Sequence, residues 1–464
     1  MSGRRVRVVR PGELGSREIA AWRELRAKSG APASPFMEPE FTLAVGRVRP
    51  RARVAVIGEE SGEGDEGETG DRPGHIATHT AHHIATHTAG HAATHTAGHI
   101  ATHTGGDIAG DIAGFLPFER GPLGHGTAIG FGVSDVQGPV LRPGLVLDER
   151  AVLRACGLSA WEYDNLEAGQ ELFDPGAAHP YPSYVIEIGD GYQAYEAGLR
   201  VRSPTFLRTT LAKERRLGRR VGEVRFVLDE RDPAMLRTLM GWKSDQYRRT
   251  GRRDRFAKGW ISDLVTFLSH TRAPGCAGLL SVLYVGDRPV AAHFGLRSRT
   301  VLSCWFPAYD PEFATYSPGL ILHLRMAEAA ARDGIGLLDL GRGAAEYKDA
   351  LRTGELTVYE GASTRPGAGA ALRWIGREPS RRAHTFVRDR PRLAGLARRN
   401  LERAGRLRAA TRTGQERPNG QERPNGPERP NGPERPNGPE QPNGRTGAGD
   451  TTDSTDRATG HGHR

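Results

Sequence analysis

Tyr316-Ser317-Pro318-Gly319, the apolar-striped run to Gly334, and Leu337-Leu338-Asp339-Leu340-Gly341 decide the fold of this chain. Ser317 is suited to cap a helix by accepting a backbone N–H. Pro318 suits the first helical position because its missing donor costs nothing there. Leu320, Leu324, Ala327 and Ala331 keep a helical spacing, and Gly334 marks the stop. An apolar strand, Val301 to Phe306, precedes this helix, and a second, Ile335 to Leu340, follows it. The order is strand, loop, helix, strand. A helix opening this way aims unpaired N–H groups and its positive dipole end at one spot, which suits a phosphate or pyrophosphate. The same pattern also fits an ordinary capped helix in an α/β unit.

Working outward, Leu279 to Val285 and Pro289 to Leu296 form a hairpin around Gly286-Asp287. Pro233 to Arg249 and the strongly basic Phe206 to Val221 read as helices, with Val224 to Leu228 a strand between them. Tyr184 to Ile188 reads as a strand and Tyr192 to Leu199 as a short helix. In the first half, 4–11 is a strand and 16–28 a helix with Ile19, Trp22 and Leu25 on one face. Phe36 to Val45 forms a second helix, and Ala52 to Glu59 a strand whose hairpin partner is Gly114 to Glu119. A Gly-rich connection containing Ser134-Asp135-Val136-Gln137 then leads to a helix at Asp148 to Cys156. The second half repeats the first in outline: helices, then an antiparallel hairpin.

Residues 61–112 and 365–464 have biased composition, and 312 of the 464 residues remain outside them, enough for two domains of roughly 150 residues. There is no apolar run of transmembrane length and no signal-peptide core, so a cytoplasmic, reduced protein is expected. Cys156, Cys276 and Cys304 are few, odd in number and widely spaced, in keeping with buried thiols. The net charge of +10 is concentrated in one place: residues 365–412 hold 14 arginines against three acids. That helix-compatible tail suits an anionic membrane surface or nucleic acid, or is simply a solvated tail.

Between Gly74 and Gly105 an eight-residue unit, Gly-His-Ile-Ala-Thr-His-Thr-Ala, recurs four times and carries nine histidines. Helical i, i+4 histidines can hold a metal, but the recurring Gly and Thr oppose a stable helix. An inert, expanded surface loop is expected, and no metal site. A second repeat, Gly-(Gln/Pro)-Glu-Arg-Pro-Asn, runs five times from Gly414 to Asn443, a disordered composition.

The second half resembles the GNAT superfamily of N-acetyltransferases, and more closely its cellulose-biosynthesis CelD-like or BioF-like branch, related to Fem-type aminoacyl transferases. The matching pieces are Gly241-Trp242-Lys243-Ser244-Asp245-Gln246-Tyr247, Val290-Ala291-Ala292-His293-Phe294-Gly295, Pro307-Ala308-Tyr309-Asp310-Pro311, Tyr316-Ser317-Pro318-Gly319 and Asp339-Leu340-Gly341-Arg342-Gly343-Ala344-Ala345-Glu346-Tyr347-Lys348. Ser34-Pro35-Phe36 and Gly114-Phe115-Leu116-Pro117-Phe118 are similar to the degenerate amino-terminal copy of that branch. The resemblance implies an α/β (α+β) fold of tandem GNAT-like domains with mixed, mainly antiparallel sheets. It divides the chain into a degenerate domain (1–60 and 113–183), a His-rich insertion (61–112), an acetyltransferase domain (184–364), an Arg-rich tail (365–412) and a disordered repeat tail (413–464).

Acyl transfer from acetyl-CoA or another acyl-CoA to an amine is the implied activity, with no metal. A small-molecule or glycan amine in cell-envelope polysaccharide synthesis is the implied acceptor. The superfamily's usual Gln/Arg-x-x-Gly-x-Gly/Ala phosphate loop is replaced here by Tyr-Ser-Pro-Gly. A Fem-type donor, aminoacyl-tRNA, is therefore the alternative, and a non-catalytic docking protein is a third.

Direct transfer needs a neutral amine, a polarised carbonyl and a proton for the leaving thiolate. Asp339 binds or deprotonates the incoming ammonium, or else holds the Gly341–Gly343 turn amides. Tyr347 protonates the thiolate, or anchors its helix to the sheet. His293 is either a general base or a satisfied core histidine. Tyr316, Ser317, Gly319, Leu320 and Lys348 are the candidate donor-binding residues. Trp242, Lys243 and Tyr247 are candidates for the acceptor wall, with packing as their other reading.

Overall fold

The computed structural model of the chain describes residues 4–59, 100–103, 111–170, 172, 178–343, 345–368 and 370–371. Most of the His-rich repeat, the Arg-rich tail and the carboxyl-terminal repeat lie outside the described residues. The first half runs β1 (Arg4–Val9), α1 (Ser16–Lys28), α2 (Pro39–Val48), β2 (Ala52–Glu59), β3 (Ile100–His103), β4 (Ile112–Arg120), β5 (His125–Ala128), β6 (Val140–Leu141), α3 (Glu149–Ala155), β7 (Ala160–Glu167) and β8 (His179–Glu187). The second runs α4 (Tyr192–Arg202), α5 (Pro204–Arg220), β9 (Val224–Val227), α6 (Pro233–Arg249), α7 (Gly259–Ser269), β10 (Arg272–Ala273), β11 (Cys276–Val285), β12 (Arg288–Arg297), β13 (Val301–Tyr309), α8 (Pro318–Arg332), β14 (Leu337–Arg342), α9 (Glu346–Leu351) and β15 (Gly354–Thr364).

All the strands join one mixed, mainly antiparallel sheet ordered β10-β11-β12-β13-β14-β8-β15-β7-β5-β4-β2-β1-β3, with β6 against β4 and β9 against β11. The expected hairpin across the insertion is present, with Val56 opposite Phe115. The insertion is not wholly outside the fold: its Ile100–His103 pairs parallel with β1.

The two halves repeat. In one, β2, β4 and β5 form an antiparallel meander, and α3 leads to β7, parallel to β5. In the other, β11, β12 and β13 form the meander, and α8 leads to β14, parallel to β13. The last strand of each half is exchanged. β8 follows β7 in the chain but pairs with β14; β15 follows β14 but pairs with β7; the two exchanged strands pair with each other. The boundary expected at 183/184 falls inside β8, a strand that serves both halves.

Side chains that alternate along a strand face opposite layers. Leu280, Val282, Ala292, Phe294 and Leu296 pack on Met235, Leu236 and Leu239 of α6 and on Leu264, Val265 and Leu268 of α7. Leu283, Val285, Val290 and Ala291 face the other way, onto Leu217 of α5 and Ile321 and Leu322 of α8. Burial on both faces is why β11 and β12 read as nearly continuous apolar runs. It also fixes their register, because a one-residue slip would swap the two layers.

Candidate functional site

The parallel pairing of β13 with β14 covers only Val301–Ser303 against Leu337–Asp339. Beyond it β13 stays with β12 to Tyr309, while β14 stays with β8 to Arg342. The strands therefore part, and the gap opens into a cavity of about 820 Å³. The start of α8 lines it with Ser317, Gly319, Leu320 and His323, and α6 with Lys243, Gln246, Tyr247 and Thr250. Gly341, Arg342, Tyr347 and Lys348 close another side, with Arg252, Arg253 and Arg255 around it as well.

The helix start differs from the expected serine cap. Ser317 has φ 52° and ψ 53°, in the left-handed region, and its side chain caps nothing. Its Oγ instead accepts from Lys213 Nζ of α5 at 2.8 Å. A non-glycine residue held in this region costs about 1–3 kcal/mol and persists only where its surroundings enforce it, and such strain clusters at working sites. Gly319, one residue past the proline, has room for a Cβ, which would make only an ordinary contact with Tyr309 Cδ1 at 3.6 Å. His323 donates from Nδ1 to the Gly319 carbonyl at 2.6 Å, which leaves Nε2 as the ring's acceptor. Burial, with Lys348 and Lys243 nearby, keeps His323 neutral at physiological pH by lowering its pKa.

Lys243 is buried and donates from Nζ to the Pro307 carbonyl at 2.7 Å. Desolvation, then Arg252, Arg255 and Lys348, bring its pKa down to about 7. Lys348 donates from Nζ to the Gly341 and Arg342 carbonyls at 2.9 and 3.2 Å, so its ammonium braces the end of β14 while lining the cavity. The Tyr347 phenol is pushed up to about 12, first by burial, and stays protonated at neutral pH. Burial raises the Cys304 thiol further, which rules it out as a thiolate nucleophile.

The structure brings Ser317, Gly319, Leu320, Tyr347, Lys348, Lys243 and Tyr247 to this cavity. Four other candidates lie elsewhere. Asp339 is buried, its Oδ1 accepting from Gly341 N and Ser183 Oγ at 2.9 Å each, as in the turn-holding reading. His293 is fully buried on β12, its ring 6.4 Å from that of His323. Trp242 packs on the core beneath α6, and Tyr316 lies under Arg216, with the guanidinium 5.0 Å from its ring centroid.

Asp135, Gln246, Thr250 and His323 are the residues that sequence reading missed. Lys243, Gln246, Tyr247 and Thr250 sit at i, i+3, i+4 and i+7, a helical-face signal present in the sequence. Asp135 had no such signal. Among the described residues no group of three or more potential ligands could hold a metal ion.

Residues 205–349 match the family model of the acetyltransferase (GNAT) domain. This matched segment contains α6, α8 and β11 to β14, hence nearly all of the cavity wall. The chain is similar in fold to a tandem GNAT protein from the clavulanic acid biosynthesis pathway (10% identity, 79% of this chain and 100% of that one, TM-score 0.40). It is also similar to FemX (10% identity, 58% and 88%, TM-score 0.40). A third likeness is the carboxyl-terminal domain of a putative lysylphosphatidylglycerol synthetase from Agrobacterium fabrum (12% identity, 57% and 84%, TM-score 0.37). No curated protein matches the chain. Among the described residues no helix is long and apolar enough to cross a membrane.

Proposed function

We propose that this protein transfers an acyl group from an acyl-CoA-type thioester to a primary amine. One observation carries the reading: the cavity of the GNAT-type segment joins the start of α8 to the Tyr347 phenol and the buried Lys243. At the α8 start, the positive end of the helix dipole, the Lys213 ammonium and the uncrowded Gly319 suit a donor's phosphates. The acyl carbonyl would then lie toward Tyr347.

Attack by the amine forms the C–N bond and breaks the C–S bond. Tyr347 gives its phenolic proton to the departing sulfur and regains one from the attacking nitrogen, a role suited to a phenol that stays protonated. For the acceptor we propose a small or glycan-borne amine.

A second reading, an aminoacyl-tRNA donor, is favoured by the exposed Arg208, Arg215, Arg216, Arg219 and Arg220 of α5. Isothermal titration of the full-length chain with acetyl-CoA and with a charged tRNA separates the two. Saturable binding of acetyl-CoA, with release of free CoA when an amine is added, is expected. Binding of tRNA alone would move the assignment to the second reading, and silence with both would overturn the transferase reading.

A further inference from the structure

The cavity belongs to the GNAT-type segment except at one point. Asp135 comes from the amino-terminal half, on the connection between β5 and β6, and it is the one carboxylate among the cavity's described lining residues. Six basic side chains line the same cavity, yet no described ion pair uses Asp135.

The connection that carries it is built to hold it still. Gln137 Nε2 donates to Ser134 Oγ at 2.9 Å and to Asp164 Oδ1 at 2.7 Å. Gln137 Oε1 accepts from Asp164 N and Asn165 N at 3.0 and 3.2 Å. Asn165 Nδ2 donates to the Ser134 carbonyl at 2.9 Å. Trp305 of β13 donates from Nε1 to the Val133 carbonyl at 2.6 Å, which pins the connection to the wall of the other half's cleft. Gly341 makes room at the far side: a Cβ there would sit 3.4 Å from Asp135 Oδ2, at a φ of +76°. Asp135 is thus a carboxylate held on a braced strut inside a cleft of cations.

We infer that Asp135 is the acceptor-side catalytic residue: its carboxylate binds the ammonium of the incoming primary amine and takes the proton that must leave before attack. This rests on the transferase reading above. One N–H bond of the ammonium breaks and an O–H bond forms on Asp135. The freed lone pair forms the C–N bond, the C–S bond breaks, and the nitrogen's second surplus proton ends on sulfur. Asp135 returns its proton to solvent.

The groups facing Asp135 are Asp339 on β14, Arg255 after α6, Lys348 on α9 and Asp164 on β7. Its charge is felt in turn by Tyr247, Tyr347 and Cys304. Desolvation first, then Asp339, lift its carboxyl to about 7, against the pull of Arg255 and Lys348. A base that titrates there is matched to taking a proton at neutral pH.

Two measurements on the full-length protein test this. The first uses carboxyl-¹³C aspartate labelling, with the Asp135 resonance assigned as the one missing in Asp135→Asn. It is titrated in equal concentrations of sodium, tetramethylammonium or ethylammonium chloride. Ethylammonium, which carries N–H donors, should lower the midpoint by roughly one unit through stabilising the carboxylate, and tetramethylammonium should not. Identical midpoints in all three salts would overturn the inference.

The second follows CoA release from acetyl-CoA with a panel of primary amines. Asp135→Asn should lower kcat/KM for the amine by roughly 100-fold or more and remove the rising limb near pH 7, with acetyl-CoA affinity unchanged. An unchanged pH profile would overturn the inference. If acetyl-CoA did not bind the native chain, the donor reading would fall, and the titration would still decide Asp135.

Discussion

The two halves share a topology and differ in what occupies the gap between their parallel strands. In the amino-terminal half β5 and β7 pair only over His125–Thr127 and Ala160–Glu162, and then part as β13 and β14 do. The connection from Ile129 to Gly138 runs into that gap, and Gln137 bridges Leu166 there. The corresponding helices differ in sign as well. α3 begins on Asp148, whose carboxylate accepts from Arg150 N, with Glu149 next. α8 begins on a strained serine that faces a lysine. An acid at a helix start satisfies the amides and repels phosphate; a cation does the reverse. The amino-terminal connection fills its own half's gap, and its Asp135 reaches the wall of the other half's cleft. The comparison teaches that a copy whose gap is filled by its own chain can still line its neighbour's.

The largest expected break comes from Gly319→Glu. A Cβ fits at this position with only an ordinary contact to Tyr309, so the expected loss is electrostatic, a carboxylate set against phosphates. Acetyl-CoA affinity by titration calorimetry should fall roughly 100-fold or more, about 3 kcal/mol, with the melting temperature unchanged. Unchanged affinity would mean the open cleft does not use its helix start.

Gln137→Ala attacks the filled cleft instead. It takes the Gln137 partner from Asp164 Oδ1 and from two backbone N–H groups inside the protein, while Asp164 Oδ2 keeps the Gly132 amide. Urea denaturation should show a loss of about 2–4 kcal/mol, with amine turnover falling too as the Asp135 strut loosens. Full stability would show that the filling is incidental.

Lys243 sharpens the contrast through pH. Its folded pKa of about 7 lies below the unfolded value near 10.4, so between these the unfolded chain binds more protons and stability rises with pH. Relative to Lys243→Met, the native chain should gain roughly 2–4 kcal/mol from pH 7 to 10. Parallel curves would place that amine in water. Lys213→Ala should show the smallest effect: a loss of about 1 kcal/mol, roughly a fivefold weaker donor affinity.

Much of this architecture was legible in the sequence, where the physics is local. The hairpin around Gly286-Asp287, the α6 and α8 periodicities and the strand pair flanking the insertion all lie at the expected places, because turn chemistry and amphipathic spacing act over a few residues. β7 and β15 are not read from the sequence. In β7 the alternation of Trp161 and Tyr163 with Glu162 and Asp164 is short and breaks at Asn165, and one of the strand's two partners, β15, comes from the other half. In the site, the residues near α8 were legible from their motif. Asp135 was not, because its importance comes from a connection crossing between halves that no spacing encodes. Ser317 misled for a related reason: a serine before Pro318 reads as a cap, while a lysine about a hundred positions earlier holds its hydroxyl.

The exchanged strands govern how the molecule is made. Ser183 on β8 meets Asp339 across 156 positions of chain, so an emerging β8 must wait for the second half to leave the ribosome. Until then it is an uncovered edge, and closing so long a loop is slow. The sheet around β8 therefore closes only once β14 and β15 are present.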